Sequence, residues 1–249
     1  MSIIDKISPS ADNLMTMNKK FFVSNDDVSI RLFQNNFLET LTKVHPITPI
    51  IIFAPLVGYL FYDCVTKGAV GLGLAALQFF LGLLFWTFFE YALHRFLFHY
   101  QPTHPLTKRL HFLFHGIHHD YPRDSWRLVM PPTVGIALAS LLFFGAKAIL
   151  PINWVDCWFA GFMVGYLFYD TNHYLIHHSN YEAAWWQAIK KHHLKHHYMN
   201  MDAGYGVSSP LWDHILRTNF PASLGVSSYS SNPHPHSARR NSNQISADL

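Results

Sequence analysis

Residues His94 to His119 read HRFLFHYQPTHPLTKRLHFLFHGIHH. It holds seven of the chain's 18 histidines and returns in outline 78 positions later. By that single offset His99, His115, His118 and His119 fall on His177, His193, His196 and His197. Only the leading histidine slips: His94 falls on Asn172, with His173 beside it. Two copies of one histidine pattern imply a site assembled from both, and a fold that brings the copies together.

The spacing within each copy is helical. Residues at i, i+3 and i+4 share a helix face, and His115-His118-His119 and His193-His196-His197 have that spacing. His173 and His177 are i, i+4, whereas His94 and His99 are five apart, about 140° around a regular helix. One of that last pair must sit where the helix ends or bends, or the two bind different atoms. The gap from pair to triplet is 16 residues in both copies, from His99 to His115 and from His177 to His193. A single histidine at a membrane edge is usually an interfacial hydrogen-bonder. Equal spacing in two copies is not explained that way and points to metal ligands. A tetrahedral zinc takes about four ligands, so these histidines fit two ions, or one ion with a generous outer ring of imidazoles.

Other polar residues near the pattern have plainer readings. His111, His178 and His192 read as solvated helix positions or outer partners, and His45, His104 and His214 stand outside the pattern. Glu90 precedes His94 by one turn, and Asp170 precedes His173 by three residues. A carboxylate that accepts the distal N–H of a bound imidazole fixes its tautomer, and that role is expected of both acids. Asp120, Arg123 and Asp124 read as a solvated loop.

The surroundings place this site at a membrane. Half of the 249 residues are apolar and only 13% are charged, well below the quarter usual in soluble domains. A net charge of +3 is too small to argue for nucleic acid. Cys64 and Cys157 make neither a disulfide framework nor a zinc knuckle. Each reads as a free thiol, with a bond between them as the alternative.

Residues 1–45 lack the basic segment, apolar core and cleavage site of a signal peptide. They read as a cytosolic arm, either loose or with a short surface helix over 33–41. Four apolar segments follow, near 47–62, 69–92, 131–150 and 153–172. The second has 21 uncharged residues from Ala69 to Phe89, close to the roughly 20 that cross a bilayer. Short connections at 63–68 and 151–156 make two helical hairpins, with their turns on one side and the histidines on the other. All but Lys67 and Lys147 of the 18 lysines and arginines lie on the histidine side. Positive residues mark the cytoplasmic face, so both termini and both histidine copies are expected in the cytosol. Residues 222–249, rich in Ser, Asn and Pro, read as a disordered tail in which His234 and His236 are solvated. The expected fold class is an all-α integral membrane protein. Residues 46–221 would form a membrane domain of four transmembrane helices, with a cytosolic helical cap holding a histidine-rich di-metal site.

Imidazole suits zinc, copper, iron and nickel alike. Zinc hydrolysis would call for a carboxylate base as in HExxH, which does not occur here. Neutral histidines at a bilayer surface suit iron handling O₂ beside an acyl chain.

The succession HRFLFH, HGIHH, HYLIHH and HLKHH on four spans resembles the membrane fatty acid hydroxylase and sterol desaturase superfamily. FHGIHHDYPRDSWRLVMPP, the run Gly165 to Asp170 and the run Gly206 to Asp213 are similar to its fatty acid 2-hydroxylases of sphingolipid synthesis. The likeness covers residues 45–220. It implies two iron ions, replaceable by zinc in a purified protein, at the cytosolic face of the endoplasmic reticulum. Their ligands would be His94, His99, His115, His118, His119, His173, His177, His193, His196 and His197. It implies a monooxygenase that places one oxygen of O₂ at C2 of a long acyl chain destined for or within sphingolipids.

Many members carry an N-terminal cytochrome b5 domain with a His-Pro-Gly-Gly motif, from which His45-Pro-Ile-Thr departs. A separate cytochrome b5 is therefore expected as electron donor. Lys108, Arg109, Lys190, Lys191 and Lys195 would dock it, or are ordinary positive-inside residues. Tyr205, Trp212 and Asp213 are expected to line the carboxyl end of the substrate, and the uneven His94–His99 spacing marks the approach of substrate or O₂. Two alternatives stand beside this reading. One is a sterol or other lipid oxidase or desaturase of the same superfamily. The other is a non-enzymatic membrane zinc-binding or transport protein, disfavoured because transporters set polar ligands near the bilayer midplane.

Overall fold

Apolar segments bounded by Pro and Gly become long helices, and the histidine copies sit where those helices end. A computed structural model describes residues 21–67 and 70–221, and all its regular elements there are helical. The tail at 222–249, with His234 and His236, lies outside the described residues. The helices are α1 (Asn36–Leu41), α2 (Thr48–Thr66), α3 (Leu72–Ala92), α4 (Pro105–His111) and α5 (Ile117–Asp120). They continue with α6 (Pro132–Ile149), α7 (Ile152–His178), α8 (Ala184–Tyr198) and α9 (Leu211–Ile215). A π-helical turn, Leu93–Phe98, extends α3, and a second, Phe112–Gly116, joins α4 to α5.

Among the described residues, three helices are long and apolar enough to cross a membrane: Thr48–Thr66, Leu72–Phe98 and Pro132–Ile149. Only 22%, 22% and 17% of these stretches is buried in the protein, so side chains such as Leu141, Phe144 and Ile149 point outward. An apolar belt of that extent is not stable against water.

The fourth expected span is not among them. α7 is 27 residues long, but Asn153, Asp156, Asp170, Asn172, His173 and His177 dilute its apolar character. Its position explains this. α7 is the central helix, packed against α2 and α3, and it buries Val155, Phe159, Ala160, Phe162, Met163 and Tyr166. Polar residues in such a helix face protein rather than lipid. Glycines permit the close packing: a Cβ on Gly82 would meet the Trp158 carbonyl oxygen at 1.8 Å, and one on Gly161 the Phe79 oxygen at 1.9 Å.

Other expectations are corrected in whole or in part. Cys64 and Cys157 are not free thiols; they form a disulfide between the end of α2 and the start of α7, with Cα atoms 5.7 Å apart. Their separation of 93 residues hides the pairing in the sequence, and helix packing alone aligns them. Of the two readings of the N-terminal arm, the short helix over 33–41 matches α1 (Asn36–Leu41) and the loose arm does not hold for residues 21–45. Val23 and Ser24 donate to the Asp120 carbonyl, Tyr198 donates to Asn25 at 2.7 Å, and Ser125 donates to Asp27 at 3.0 Å. Nor is Asp124 solvated: it is 2% exposed and pairs with Arg127, which also binds Glu39 at 2.7 Å.

Candidate metal centre

The π-helical turn resolves the uneven spacing of the first pair. A turn closed from i to i+5 returns residue i+5 close to the face of residue i, and the His99 amide donates to the His94 carbonyl at 3.1 Å. His94 and His99 thereby bring their Nε2 atoms to 3.2 Å. In the second copy His173 and His177 lie within regular α7 at i, i+4. One extra residue in the first copy is absorbed by the wider turn, which is why His94 falls one position off the 78-residue offset.

The ten histidines converge as two groups of five. His94, His99, His115, His119 and His196 form the first group; His118, His173, His177, His193 and His197 form the second. Within each group the candidate ligand atoms all lie within 4.8 Å of one another. Four members of each group come from one copy of the pattern and the fifth from the other. The middle histidine of each HxxHH triplet, His118 or His196, crosses over. On a helix that residue shares a face with its neighbours only in part, and α5 and α8 lie so that it reaches the opposite group. His119 stacks on His197 with ring centroids 4.3 Å apart, so the groups share one chamber.

The nitrogen geometry fits metal ions. In the first group Nε2 of His115 lies 3.1 Å from that of His94, 3.2 Å from that of His99 and 2.9 Å from that of His119. His196 Nε2 lies 2.9 Å from that of His99. In the second group the corresponding distances are 2.7 Å for His173–His118 and 3.0 Å for His197–His193. A neutral imidazole has one N–H, so this many mutual contacts cannot all be hydrogen bonds. Ring nitrogens about 2.1 Å from a shared cation, at bond angles near 90–110°, lie about 3.0–3.4 Å apart; three of these six pairs fall in that range and the other three, at 2.9, 2.9 and 2.7 Å, are slightly closer.

The electrostatics favour the neutral, ligating form. Burial, with the neighbouring His94, His119 and His111, pulls His99 down to about 2. Burial first, and adjacent imidazoles second, also hold His115, His118, His119, His193, His196 and His197 far below the usual histidine value.

The remaining site residues are placed differently from the expectation. Glu90 Oε1 accepts from the Val207 and Ser208 amides, both at 2.7 Å, and touches no imidazole. Asp170 accepts from the Met130 amide at 3.3 Å and the Tyr166 hydroxyl at 3.2 Å. The distal nitrogens of two of these histidines go to backbone carbonyls instead: His94 Nδ1 donates to Tyr205 and His196 Nδ1 to Ala203. Helical spacing placed the acids near the histidines, but for His94 a loop 111 residues away supplies the acceptor, and no local pattern announces it.

Tyr205 lies with its ring 5.5–5.9 Å from those of His94, His99 and His196. Trp212 is farther out: it donates to Thr87 at 2.9 Å and packs on Phe88. Asp213 is fully buried and binds the Tyr205 and Gly206 amides, Thr218 and His192. Burial alone would raise its carboxyl, but those hydrogen bonds outweigh it and hold the group below the usual range. His192 is thus a partner of Asp213 and not a solvated position. His111 and His178 each bury Nε2, while His104 and His45 accept from the amides of Leu106 and Ile47 at helix starts.

A family model for fatty acid hydroxylases matches residues 79–218, a stretch that contains all ten of these histidines. The chain belongs to the fatty acid hydroxylase family. The chain is 40% identical over 190 residues to the ceramide very long chain fatty acid hydroxylase scs7 of Schizosaccharomyces pombe, covering 75% of this chain and 54% of that one. It is 36% identical over 192 residues to the dihydroceramide fatty acyl 2-hydroxylase FAH1 of Arabidopsis thaliana, covering 76% and 79%. To the fatty acid 2-hydroxylase of Mus musculus it is 36% identical over 213 residues, covering 77% and 57%. The chain therefore spans about half the length of several of the curated relatives it matches. The solved hydroxylase domain of full-length scs7p superposes with a TM-score of 0.73 at 31% identity, covering 91% of this chain and 96% of that one.

Proposed function

We propose that this hydroxylase is a fatty acid 2-hydroxylase that acts on a long acyl chain destined for or within sphingolipids. The observation that carries this reading is the pair of crossed five-histidine groups at the end of an outward-facing apolar belt, in a chain whose relatives are named for that reaction. The net reaction takes one C2–H bond, O₂, two electrons and two protons to a C2–OH and water. A pair of iron ions held by the ten histidines would supply the activation of O₂. The residues of the chain do the rest. They hold the imidazoles neutral, fix two of their tautomers through Ala203 and Tyr205, and close the chamber to water, with nine of the ten ligands buried.

The acyl chain needs a path from lipid to this chamber. An open apolar groove of about 510 Å³ runs along α3 and α9, lined by Leu81, Leu84, Phe85, Phe88, Trp212 and Ile215. Phe88 is six residues before His94, about 9 Å along a helix. An acyl tail in the groove would set its carboxyl end near Tyr205, with Trp212 on its flank.

We further propose an endoplasmic reticulum location, with α7 crossing the bilayer as a fourth span and the histidines under a cytosolic cap. Lysine and arginine positions support that orientation, since among the described residues all but Lys67 and Lys147 lie on the histidine side. The Cys64–Cys157 disulfide supports it independently, because it lies at the opposite end of the bundle and disulfides persist in oxidising compartments. Electrons would come from a cytochrome b5 docking near Lys108, Arg109, Lys190, Lys191 and Lys195, all on the histidine side. The test is expression in cells lacking fatty acid 2-hydroxylase, with mass-spectrometric lipid profiling, with and without added cytochrome b5. Restored 2-hydroxy acyl chains are the expected result. Altered sterols with no 2-hydroxy acyl product would refute the substrate.

A further inference from the structure

The two histidine groups match in residue type but not in what holds them. Behind the first group lies the loop from Ala203 to Ser208. Its Ala203 carbonyl accepts from His196 Nδ1 at 2.8 Å, and its Tyr205 carbonyl accepts from His94 Nδ1. Two buried carboxylates hold the loop from outside. Glu90, 4% exposed, takes the Val207 and Ser208 amides. Asp213, 0% exposed, takes the Tyr205 amide at 2.9 Å, the Gly206 amide at 2.8 Å and the Thr218 hydroxyl at 2.7 Å. The loop is also committed in shape: Gly204 has a φ of +71°, and a Cβ on Gly206 would meet the Ser209 oxygen at 2.1 Å. Nothing comparable stands behind the second group among the described residues. There the Nδ1 atoms of His118, His177, His193 and His197 are buried with no hydrogen-bond partner in the protein, whereas in the first group this holds for His119 and not for His94 or His196.

We propose that Glu90 and Asp213 are positioning residues for one metal site only. They clamp the 203–208 loop so that its carbonyls hold His94 and His196 with Nε2 turned toward the ion of the first group. The two sites consequently differ in how tightly they keep metal. This rests on the reading of the ten histidines as ligands. A carbonyl accepting the distal N–H of a bound imidazole fixes the ring and raises its basicity, and loss of such a partner typically weakens binding about 10–100-fold. A loop released from its carboxylates lets both carbonyls turn away together, so the loss falls on one group.

The full chain in detergent, loaded with Zn²⁺ and then challenged with a chromophoric chelator, tests this. The wild type is expected to release about two equivalents, one for each group. Glu90→Ala and Asp213→Ala should speed release of one equivalent about 10–100-fold and leave the other unchanged. Glu90→Gln keeps an acceptor oxygen for Val207 and Ser208 and should restore the wild-type rate. Acceleration of both equivalents alike, or of neither, overturns the inference while leaving the ligand reading intact. A wild type that holds no zinc would instead sink the ligand reading. If Glu90→Ala and Asp213→Ala do not fold, Thr218→Val is the variant to read. It removes one hydroxyl donor from Asp213, and acceleration of one equivalent alone is again the result required.

Discussion

Removing His118 should empty the metal site built mainly from the other copy of the pattern. His118 lies in the first histidine copy, one residue from His119, yet its Nε2 sits 2.7 Å from that of His173 and its ring is 4.4 Å from that of His197. The size of the effect follows from ligand number. Structural zinc sites bind with about 10–16 kcal/mol over about four ligands, or about 3 kcal/mol each, so His118→Ala should weaken one site roughly 100-fold. Zinc retained after dialysis against a graded chelator series measures this, and turnover should fall to background. The crossed assignment is tested by pairing. His118→Ala combined with His173→Ala should cost little more than either alone, because one site is lost once. His118→Ala combined with His99→Ala should cost the sum, because two sites are lost. Strong coupling of His118 to His99, with additivity toward His173, would refute the crossing and the assembly of each site from both copies.

Three other outcomes follow from the same geometry. The metal-free protein should lose stability as the pH falls below about 6.5: its buried histidines titrate below their unfolded value, as His99 does at about 2. The unfolded chain then takes protons first, and each such histidine adds about 1.4 kcal/mol per pH unit to the slope, measurable by denaturant titration between pH 7 and 5; a flat profile would count against neutral burial. Gly161→Leu should destabilise the α3–α7 contact by several kcal/mol or block folding, since even a Cβ meets the Phe79 oxygen at 1.9 Å, whereas Gly58→Ala, with open space around it, should leave the thermal midpoint in place or raise it slightly. In denaturant, Cys64 and Cys157 should resist maleimide labelling until reduced, and in Cys157→Ser the otherwise buried Cys64 should label without reductant; removing the cross-link should cost up to about 4–5 kcal/mol for a 93-residue loop.

Much of this protein is legible in its amino-acid sequence, because the signals are periodic. An apolar run of about 20 residues reads as a span whatever it packs against, so the Ala69 to Phe89 segment announces α3. The HxxHH triplets share helix faces by spacing alone, so eight of the ten histidines can be named from the 78-residue offset, and His94 and His173 from the pairs they make with His99 and His177. What the repeat does not show is the partition. His118 and His119 are adjacent in the chain yet belong to different groups, since neighbouring residues on a helix point about 100° apart and only the placement of α5 against α7 and α8 decides what each one meets.

The same division runs through the other residues. Composition indicates a membrane protein, and helical spacing puts Glu90 and Asp170 close to the histidines. Tertiary packing alone sends Glu90 to the Val207 and Ser208 amides, joins Cys64 to Cys157 and makes α7 a buried central helix with a weaker apolar signal than its three neighbours. The physical reason is range. Periodicity, hydropathy and ligand chemistry are set by residues a few positions apart, and the sequence determines them by itself. The partner of a buried carboxylate, a thiol or a ring nitrogen is set by what lies far along the chain, 55 residues for His118 with His173 and 118 for Glu90 with Ser208, and that only the folded chain decides.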